Sequence, residues 1–516
     1  MIRVYALSLL LGASVLLPGC HGSDQGNASG TPSAPQRGTL LVKPPTKLAS
    51  YSTADLLAML SDSDLGKELL TLALTPKCAI DVYQLEYETV GGKGEAATAS
   101  GALMVPTGTD SSCQGPLPIV VYAHGTTADK TFNIAALQNS GEGLLLAAVF
   151  GARGYIVVAP NYAGYDSSDL DYHPYLNADQ QSKEMIDVVT AARSALPVAS
   201  APAVTDDHKL FVTGYSQGGF VAMAAQRAME AAGMTVTAAA PMSGPYALAA
   251  FADAIFMGQV NLSATLNVAL LTSSYQHSYG NLYKQPTEVF GPSYAPGIET
   301  LLPSTTSLSE LRSENKLPGN VLFSNSPPAP EFASLTPATT PAALAPAFAM
   351  GFGADPLIIN DYRLSYLRDE QANPDGGFPT VSTGVPAASP ANTWRQDLKT
   401  NDLRNWTPVG PVLLCAGDQD PTVFYLSTSL MQRYWMMHAP GASVTVLDVD
   451  APLSSGDPYA NLKKAFTAAK ALVAANAVLG GAKDGGALAV LQAYHGTLVP
   501  PVCLSAVKSF FDGFQN

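Results

Sequence analysis

A serine between glycines, in Gly214-Tyr-Ser-Gln-Gly, is the first candidate for chemistry. An apolar run over residues 210–213 precedes it, and an alanine-rich stretch of helical composition follows. This order predicts a strand, a sharp turn and a helix, with the hydroxyl group of Ser216 exposed at the apex. Glycines on both sides leave room for the neighbouring backbone. The pattern predicts a nucleophilic serine, and the alternative is an ordinary glycine-rich turn between a strand and a helix.

A nucleophilic serine needs a general base, and the sequence contains 7 histidines. His495 follows the last strand-like segment, which is where the chain order serine, acid, histidine places the base. His124 comes before the serine, at the end of an apolar run, where a loop that binds an oxyanion is expected. We therefore predict that His495 is the base. The alternative for His495 is a loop histidine that is bonded to the backbone.

Two carboxylates compete to orient the base. Asp418 and Asp420 both follow the strand-like run 409–415, and the carboxyl end of a strand is where ligands converge in such sheets. Asp420 is preferred because it opens an Asp-Pro-Thr-Val turn that would hold its carboxylate rigidly. Asp418 is then expected to be a turn or supporting residue, and a solvated loop acid is the alternative for either.

Backbone amides are expected to hold the negative charge that develops on the substrate. The helix starts just after Ser216, so the N–H of Gln217 is one expected oxyanion donor. The second donor is expected from His124-Gly-Thr-Thr, in which Gly125 permits the bend and the N–H of Thr126 faces Ser216. The alternative for this loop is a strand-end turn without a catalytic part.

Composition limits the class of protein. The chain has 516 residues, of which 47% are hydrophobic and 13% charged, enough for one large domain with insertions. A net charge of -14 and the lack of a basic patch disfavour a nucleic-acid partner. After the N-terminus, no run of roughly 18 apolar residues predicts a membrane span. We expect contact with a membrane only through an N-terminal lipid anchor.

The N-terminus has the pattern of an export signal. Arg3, an apolar stretch and Leu17-Pro-Gly-Cys predict a lipoprotein signal peptide over residues 1–20, with Cys20 lipidated. A plain secretory signal is the alternative. Residues 21–50 are predicted to be a flexible tether, because the stretch is rich in Gly, Ser, Pro and Thr. We expect an exported protein, anchored to a membrane.

In an exported protein, the cysteines other than Cys20 are expected to form disulfides. Cys78, Cys113, Cys415 and Cys503 form an even set, which predicts two disulfides in an oxidising compartment. Three pairings are possible. We favour Cys78–Cys113, which joins adjacent early segments, and Cys415–Cys503, which joins the segments of Asp420 and His495. A zinc site is the alternative, disfavoured because no CxxC or histidine-rich spacing exists, so we expect no metal.

Strand-like and helical stretches alternate along much of the chain. The alternation predicts an α/β fold with a mostly parallel central sheet and helices on both faces. We expect the core in two parts, residues 51–246 and 406–516. Between them the alternation stops, and residues 247–405 are predicted to be an inserted, mainly helical cap that shapes an apolar pocket. The alternative is a structural elaboration far from the chemistry.

The sequence resembles the α/β-hydrolase superfamily, and within it the exported lipases and esterases related to the secretory lipases first described in yeasts. The matching stretches span most of residues 79–514 and are Tyr122-Ala-His-Gly-Thr-Thr, Val157-Val-Ala-Pro-Asn-Tyr-Ala-Gly, His173-Pro-Tyr, Gly214-Tyr-Ser-Gln-Gly-Gly, Asp402-Leu, Trp406-Thr-Pro, Asp420-Pro-Thr-Val, His495-Gly and Val499-Pro-Pro. The resemblance implies a serine carboxylic ester hydrolase that acts on a small-molecule ester without a cofactor. A polyester depolymerase, a serine peptidase and a non-catalytic surface binding protein remain alternatives, and the oligomeric state stays open.

Overall fold

The computed structural model describes residues 36–72, 75–199 and 203–515. The predicted signal peptide, with Cys20, and residues 21–35 of the predicted tether lie outside this part of the chain. From Arg37 onward the chain forms one compact unit.

Nine strands form the central sheet of the described residues, in the order β1-β2-β3-β5-β4-β6-β7-β10-β11. The pairs β1–β2, β2–β3 and β3–β5 are antiparallel, and the remaining neighbours are parallel. A separate pair, β8 and β9, lies in the cap. The strands are β1 (Thr46–Tyr51), β2 (Ala79–Val90), β3 (Ala96–Thr107), β4 (Gly115–Ala123), β5 (Ile156–Pro160), β6 (Val204–Tyr215), β7 (Ala238–Met242), β8 (Phe323–Ser324), β9 (Phe352–Gly353), β10 (Val412–Ala416) and β11 (Val444–Asp448).

Most of the parallel strands are short apolar runs, because both faces of the sheet are covered. Successive side chains point to opposite faces of a strand, and the two faces carry separate cores. Val121 and Val158 belong to one core, whereas Val120 and Val157 belong to the other. These buried alternations explain why the strands are predictable from the sequence.

Helices cover both faces. Apolar side chains of α4 and α5 pack in one core, and those of α1, α3 and α15 pack in the other. A π-helical turn, Tyr494–Leu498, joins α14 to α15. The helices are α1 (Thr53–Asp62), α2 (Asp64–Thr71), α3 (Gly141–Val149), α4 (Ala178–Ala199), α5 (Gln217–Ala231), α6 (Leu248–Phe256), α7 (Ala264–Ser278), α8 (Leu308–Ser313), α9 (Ala345–Ala349), α10 (Asn360–Ala372), α11 (Thr393–Asn401), α12 (Leu426–His438), α13 (Ala460–Leu479), α14 (Ala487–Ala493) and α15 (Val499–Asp512).

The cap, residues 247–405, is inserted between β7 and β10 and carries α6 to α11. Its interior contains buried guanidinium groups. Arg395 pairs with Asp253 at 2.9 Å and with Asp369 at 2.7 Å. Arg404 pairs with Asp375 at 2.7 Å and with Asp402 at 2.9 Å. The predicted α/β architecture with an inserted, mainly helical cap is confirmed.

The predicted tether ends earlier than expected. Residues 46–51 form β1, which pairs antiparallel with β2, and Leu40 forms a bridge with Tyr87. Arg37 forms an ion pair with the buried carboxylate of Asp187 at 2.9 Å. The tether prediction is therefore wrong for residues 37–50. Their composition does not reveal that the open edge of β2 supplies partners for their backbone groups.

Both favoured disulfides are present. Cys78 bonds to Cys113, and Cys415 bonds to Cys503. The first bond joins the segment before β2 to the turn before β4, and the second joins β10 to α15. Disulfides are typical of proteins that fold in an oxidising compartment, which supports the predicted export.

The run Ala487–Asp512 is long and apolar enough to cross a membrane by length and composition alone. Half of its most apolar window is buried inside the protein. Val507 and Phe511 lie in the same core as β4 and β5, and Cys503 is bonded to β10. The run is therefore explained as a core helix.

Candidate active site

Ser216 lies at the sharp turn between β6 and α5, with φ 60° and ψ -121°. This backbone conformation is strained for a residue with a side chain. A Cβ atom on Gly218 would lie 1.8 Å from the Ala123 carbonyl oxygen, and one on Gly214 would lie 2.3 Å from the Gly218 carbonyl oxygen. Only glycine fits at these two positions, as predicted. The turn holds the serine hydroxyl clear of its own backbone.

The imidazole of His495 faces Ser216. Nε2 of His495 lies 2.8 Å from Oγ of Ser216, so the hydroxyl donates to the ring. His495 lies on the π-helical turn, and its carbonyl oxygen accepts from the Tyr215 hydroxyl at 2.5 Å. Tyr215 directly precedes the serine, so one phenol ties the two segments together.

Asp420 is the third residue of this arrangement, and it contacts His495. His495 Nδ1 donates to Oδ2 of Asp420 at 2.6 Å. The other oxygen of Asp420 accepts from the N–H groups of Thr422 at 2.8 Å and Val423 at 3.0 Å. The Asp-Pro-Thr-Val turn thus holds a fully buried carboxylate in place. The side chain of Asp418 is exposed, and its N–H donates to Asp448 at 3.0 Å.

A hydrogen-bonded tyrosine and a disulfide hold the loop of Asp420 against the π-helical turn of His495. The hydroxyl of Tyr494 accepts from the N–H of Gln419 at 3.2 Å and donates to Asp450 at 2.9 Å. The Cys415–Cys503 disulfide links the strand before Asp420 to the helix after His495. The structure therefore brings Ser216, His495 and Asp420 together from three separate segments. Their catalytic roles stay a prediction at this point.

The loop His124-Gly-Thr-Thr passes beside Ser216. A Cβ atom on Gly125 would lie 3.9 Å from Cβ of Ser216. The N–H of Gly125 donates to Glu142, at 3.2 and 3.3 Å from its two carboxylate oxygens, so this amide is already occupied. The hydroxyl of Thr126 contacts that of Tyr175 at 3.0 Å. Gln217 is the first residue of α5, as predicted, and the oxyanion roles of Gln217, Thr126 and Gly125 stay a prediction.

His173 has a position that the sequence did not reveal. Its Nδ1 donates to the Ala163 carbonyl oxygen at 3.0 Å, so its Nε2 accepts from the side-chain amide of Gln217 at 2.7 Å. Burial lowers the pKa of His173 to about 3, which keeps the ring neutral. The His173-Pro-Tyr stretch thus fixes the residue that follows the serine. The stretch stood out in the sequence, but nothing there linked it to Gln217.

Glu142 is a second residue that sequence reasoning missed. It lies in the first turn of α3, and the Tyr122 hydroxyl donates to its carboxylate at 2.5 Å. Burial raises the pKa of this carboxyl group to about 7. In the sequence Glu142 is an ordinary acidic residue at a helix start, where such residues are common. Only the fold brings it to the serine loop.

Comparisons with known proteins agree with this architecture. Residues 145–260 match the prolyl oligopeptidase family (peptidase family S9). The structure of the rice cell wall degrading esterase LipA from Xanthomonas oryzae, in a ligand-bound form, is similar with a TM-score of 0.66 and 26% identity, over 93% of this chain and 100% of that chain. A putative hydrolase from Legionella pneumophila subsp. pneumophila has a TM-score of 0.62 and 19% identity, over 93% of this chain and 99% of that one. No curated protein matches the sequence.

The chain has the α/β-hydrolase fold. The family match runs from within α3 to beyond α6 and includes the turn at Ser216, but it ends before Asp420 and His495. The fold match spans both parts of the core and the cap. Together they support a hydrolase enzyme.

A cavity of about 380 Å³ opens onto Ser216 and His495. Its lining is mostly apolar. The cap supplies much of it, through Leu248, Phe251, Ile255 and Phe256 of α6, Leu266, Val268 and Leu271 of α7, and Trp394 and Leu398 of α11. The predicted cap therefore lies over the serine and forms a wall of its cavity.

Proposed function

We propose that the protein is a serine carboxylic ester hydrolase that cleaves esters of apolar acyl groups. One observation carries the proposal. The contact between Ser216 and His495, at 2.8 Å, and the contact between His495 and Asp420, at 2.6 Å, meet at the wall of an apolar cavity. This is the geometry of a nucleophile, a general base and an orienting carboxylate.

The proposed reaction has two steps. His495 accepts the hydroxyl proton as Oγ of Ser216 attacks the ester carbonyl carbon, and the N–H of Gln217 and the loop His124-Gly-Thr-Thr face the oxyanion. The alcohol leaves with the proton from His495, which gives an acyl-enzyme. Water, deprotonated by His495, then releases the acid. Asp420 keeps the imidazole in the tautomer that accepts from serine.

The cavity favours an acyl group as ligand. Leu, Ile, Val and Phe side chains of the cap line it. An acyl chain that enters the cavity gains about 25 cal/mol of binding free energy per Å² of apolar surface removed from water. The similar esterase from Xanthomonas oryzae supports the same class of reaction. A serine peptidase is the second candidate, because the matched family is a peptidase family. That match does not reach His495.

The first test compares wild type with Ser216→Ala on p-nitrophenyl butyrate. The substitution removes the nucleophile, so we expect kcat to fall by about 10⁴-fold or more. Ser182→Ala is a matched control, since Ser182 is buried in α4 and bonds to the Asp179 carbonyl oxygen. The control should keep both turnover and labelling by a fluorophosphonate probe. Wild-type turnover in Ser216→Ala would reject the assignment.

The second test offers wild type a series of p-nitrophenyl esters beside a panel of peptide amides. We expect turnover of esters with acyl chains that fit the cavity, and none of the amides. Efficient cleavage of the amides, with weak cleavage of the esters, would establish the peptidase instead.

A further inference from the structure

We infer that Glu142 is a positioning residue that fixes the loop His124-Gly-Thr-Thr in the geometry needed to receive the oxyanion. The inference rests on the proposed function. It concerns a residue that does not itself attack the substrate or transfer its proton.

Glu142 joins three segments beside the nucleophile. Its carboxylate accepts from the hydroxyl of Tyr122, near the end of β4, and from the N–H of Gly125, just after that strand. The position of a Cβ on Gly125 lies 3.7 Å from Oε2 of Glu142 and 3.9 Å from Cβ of Ser216. The carboxylate and the serine therefore both border the same glycine.

Both backbone polar groups of Gly125 are held. Its carbonyl oxygen lies 2.6 Å from Nδ1 of His124, and the N–H that precedes it bonds to Glu142. In a trans peptide the N–H points away from the carbonyl oxygen, so this arrangement also sets the direction of the Thr126 N–H. That N–H is the expected oxyanion donor of the loop. Loss of the Glu142 contact would leave Gly125 held only through its carbonyl oxygen, which loosens the peptide that carries the donor.

The contacts favour the ionised form of Glu142, since both partners donate. The titratable groups around it are the phenols of Tyr122, Tyr162 and Tyr215, whose pKa values burial raises, and the ring of His124, whose pKa burial lowers to about 4. His495 lines the same cavity. Burial raises the pKa of Glu142 itself to about 7, so the carboxylate loses its charge as the pH falls through neutrality.

This predicts two protonations on the acid side of the pH–rate profile. His495 must be unprotonated to act as base, and Glu142 must be ionised to hold the loop. In wild type, log kcat/KM should therefore fall about tenfold below the one-proton curve for His495 as Glu142 is protonated. In Glu142→Gln this extra step should be absent, because the amide does not titrate.

The experiment measures kcat, KM and the pH profile of wild type and Glu142→Gln on p-nitrophenyl butyrate. We expect kcat to fall about tenfold, because a neutral amide accepts more weakly than a carboxylate, while KM changes little. The affinity for an alkyl boronic acid, whose tetrahedral adduct places an oxygen in the oxyanion site, should fall by a similar factor.

Glu184→Gln is the matched control. Glu184 is also buried, accepts from a tyrosine, Tyr87, at 3.2 Å, and has a pKa raised to about 7, yet it does not line the cavity. Its variant should keep the extra step of about tenfold and the boronic acid affinity of wild type, whatever its melting temperature.

The outcomes separate the two proposals. An inactive wild type on all esters would reject the proposed function. A Glu142→Gln variant with unchanged kcat and boronic acid affinity would overturn the role of Glu142 alone. If that variant does not fold, the wild-type profile tests the role, because the absence of an extra step at every pH where wild type stays folded would overturn it.

Discussion

The sheet and the cap satisfy their buried polar groups in different ways. In the sheet, long ladders pair the backbone, and the side chains between the layers are almost all apolar. In the cap, the described strands are two pairs of residues, so many backbone groups lack a ladder. Buried arginines fill that role. Arg363 donates to the carbonyl oxygens of Phe256, at 3.2 Å, and Leu335, at 2.7 Å.

The difference shows how an irregular segment can still hold a defined cavity. Arg395 fixes α6 through Asp253, which lies on that helix, and Asp402 accepts from the N–H of Ala249 in its first turn at 3.0 Å. This helix, which lines the cavity, is therefore held in its first turn and again in its second half. A disulfide, apolar contacts and tyrosine hydrogen bonds hold the serine, acid and histidine segments, whereas buried ion pairs hold the cavity wall that faces them.

Among the changes considered, removing the Cys415–Cys503 disulfide should destabilise the protein most, because this bond joins the sheet strand β10 to α15. The bond closes a loop with a sequence separation of 88. Chain entropy predicts a loss of about 4 to 5 kcal/mol in the double serine variant, measured by urea unfolding. Activity should fall as well, because the bond connects the segments of Asp420 and His495.

The Cys78–Cys113 pair is the control for that variant. Its sequence separation is 35, so the same model gives a loss of about 4 kcal/mol, and the bond lies away from the acid and histidine loops. We expect this double serine variant to keep kcat under conditions where it is folded. Equal losses of kcat in both variants would contradict the special role of the Cys415–Cys503 bond.

Arg395→Met should destabilise the cap, because it removes two buried ion pairs. The substitution leaves Asp253 and Asp369 buried without their partner, which typically costs about 3 to 5 kcal/mol. We also expect weaker binding of long acyl esters, seen as a raised KM, because α6 loses its tie. Lys316→Met, in an exposed pair with Glu314, is the control and should change neither quantity. An unchanged unfolding midpoint in Arg395→Met would contradict the importance of the ion-pair network.

Tyr494→Phe should have the smallest effect of these changes. It tests a single hydroxyl beside the acid and histidine segments against a single hydroxyl in the cap. It removes the hydroxyl that joins Gln419 to Asp450, so we expect a loss of about 1 to 2 kcal/mol and a several-fold lower kcat. Tyr294→Phe removes a cap hydroxyl that donates to Asp355 at 3.0 Å. It should cost similar stability and leave kcat unchanged. Matching kcat values in the two variants would show that Tyr494 only stabilises the fold.

Features that depend on neighbouring residues in the chain were predictable from the sequence, whereas most contacts between distant segments were not. The turn at Ser216 was predictable because glycines and strand–helix composition are adjacent in the chain. Asp420 was preferred to Asp418 on the strength of one proline-containing turn, and the contact with His495 follows that preference. The two disulfides were predictable because the cysteines are few and lie on segments that had to meet.

The remaining features depend on contacts that the local sequence around each residue does not show. Glu142 and His173 reach the serine segment from distant elements, and no spacing links them to it. Asp253, Asp369 and Arg395 carry charges that are usually exposed, so composition places them on the surface. Their burial follows from how the cap folds, which a single sequence does not specify by local pattern.

The order of the three side chains along the chain has a consequence for biosynthesis. Ser216 emerges from the ribosome 279 positions ahead of His495. A nascent or clipped polypeptide that stops short of the π-helical turn has a nucleophile without a proton acceptor. On the proposed function, unfinished copies are inert towards esters inside the cell that makes them, and hydrolysis begins only with the complete chain.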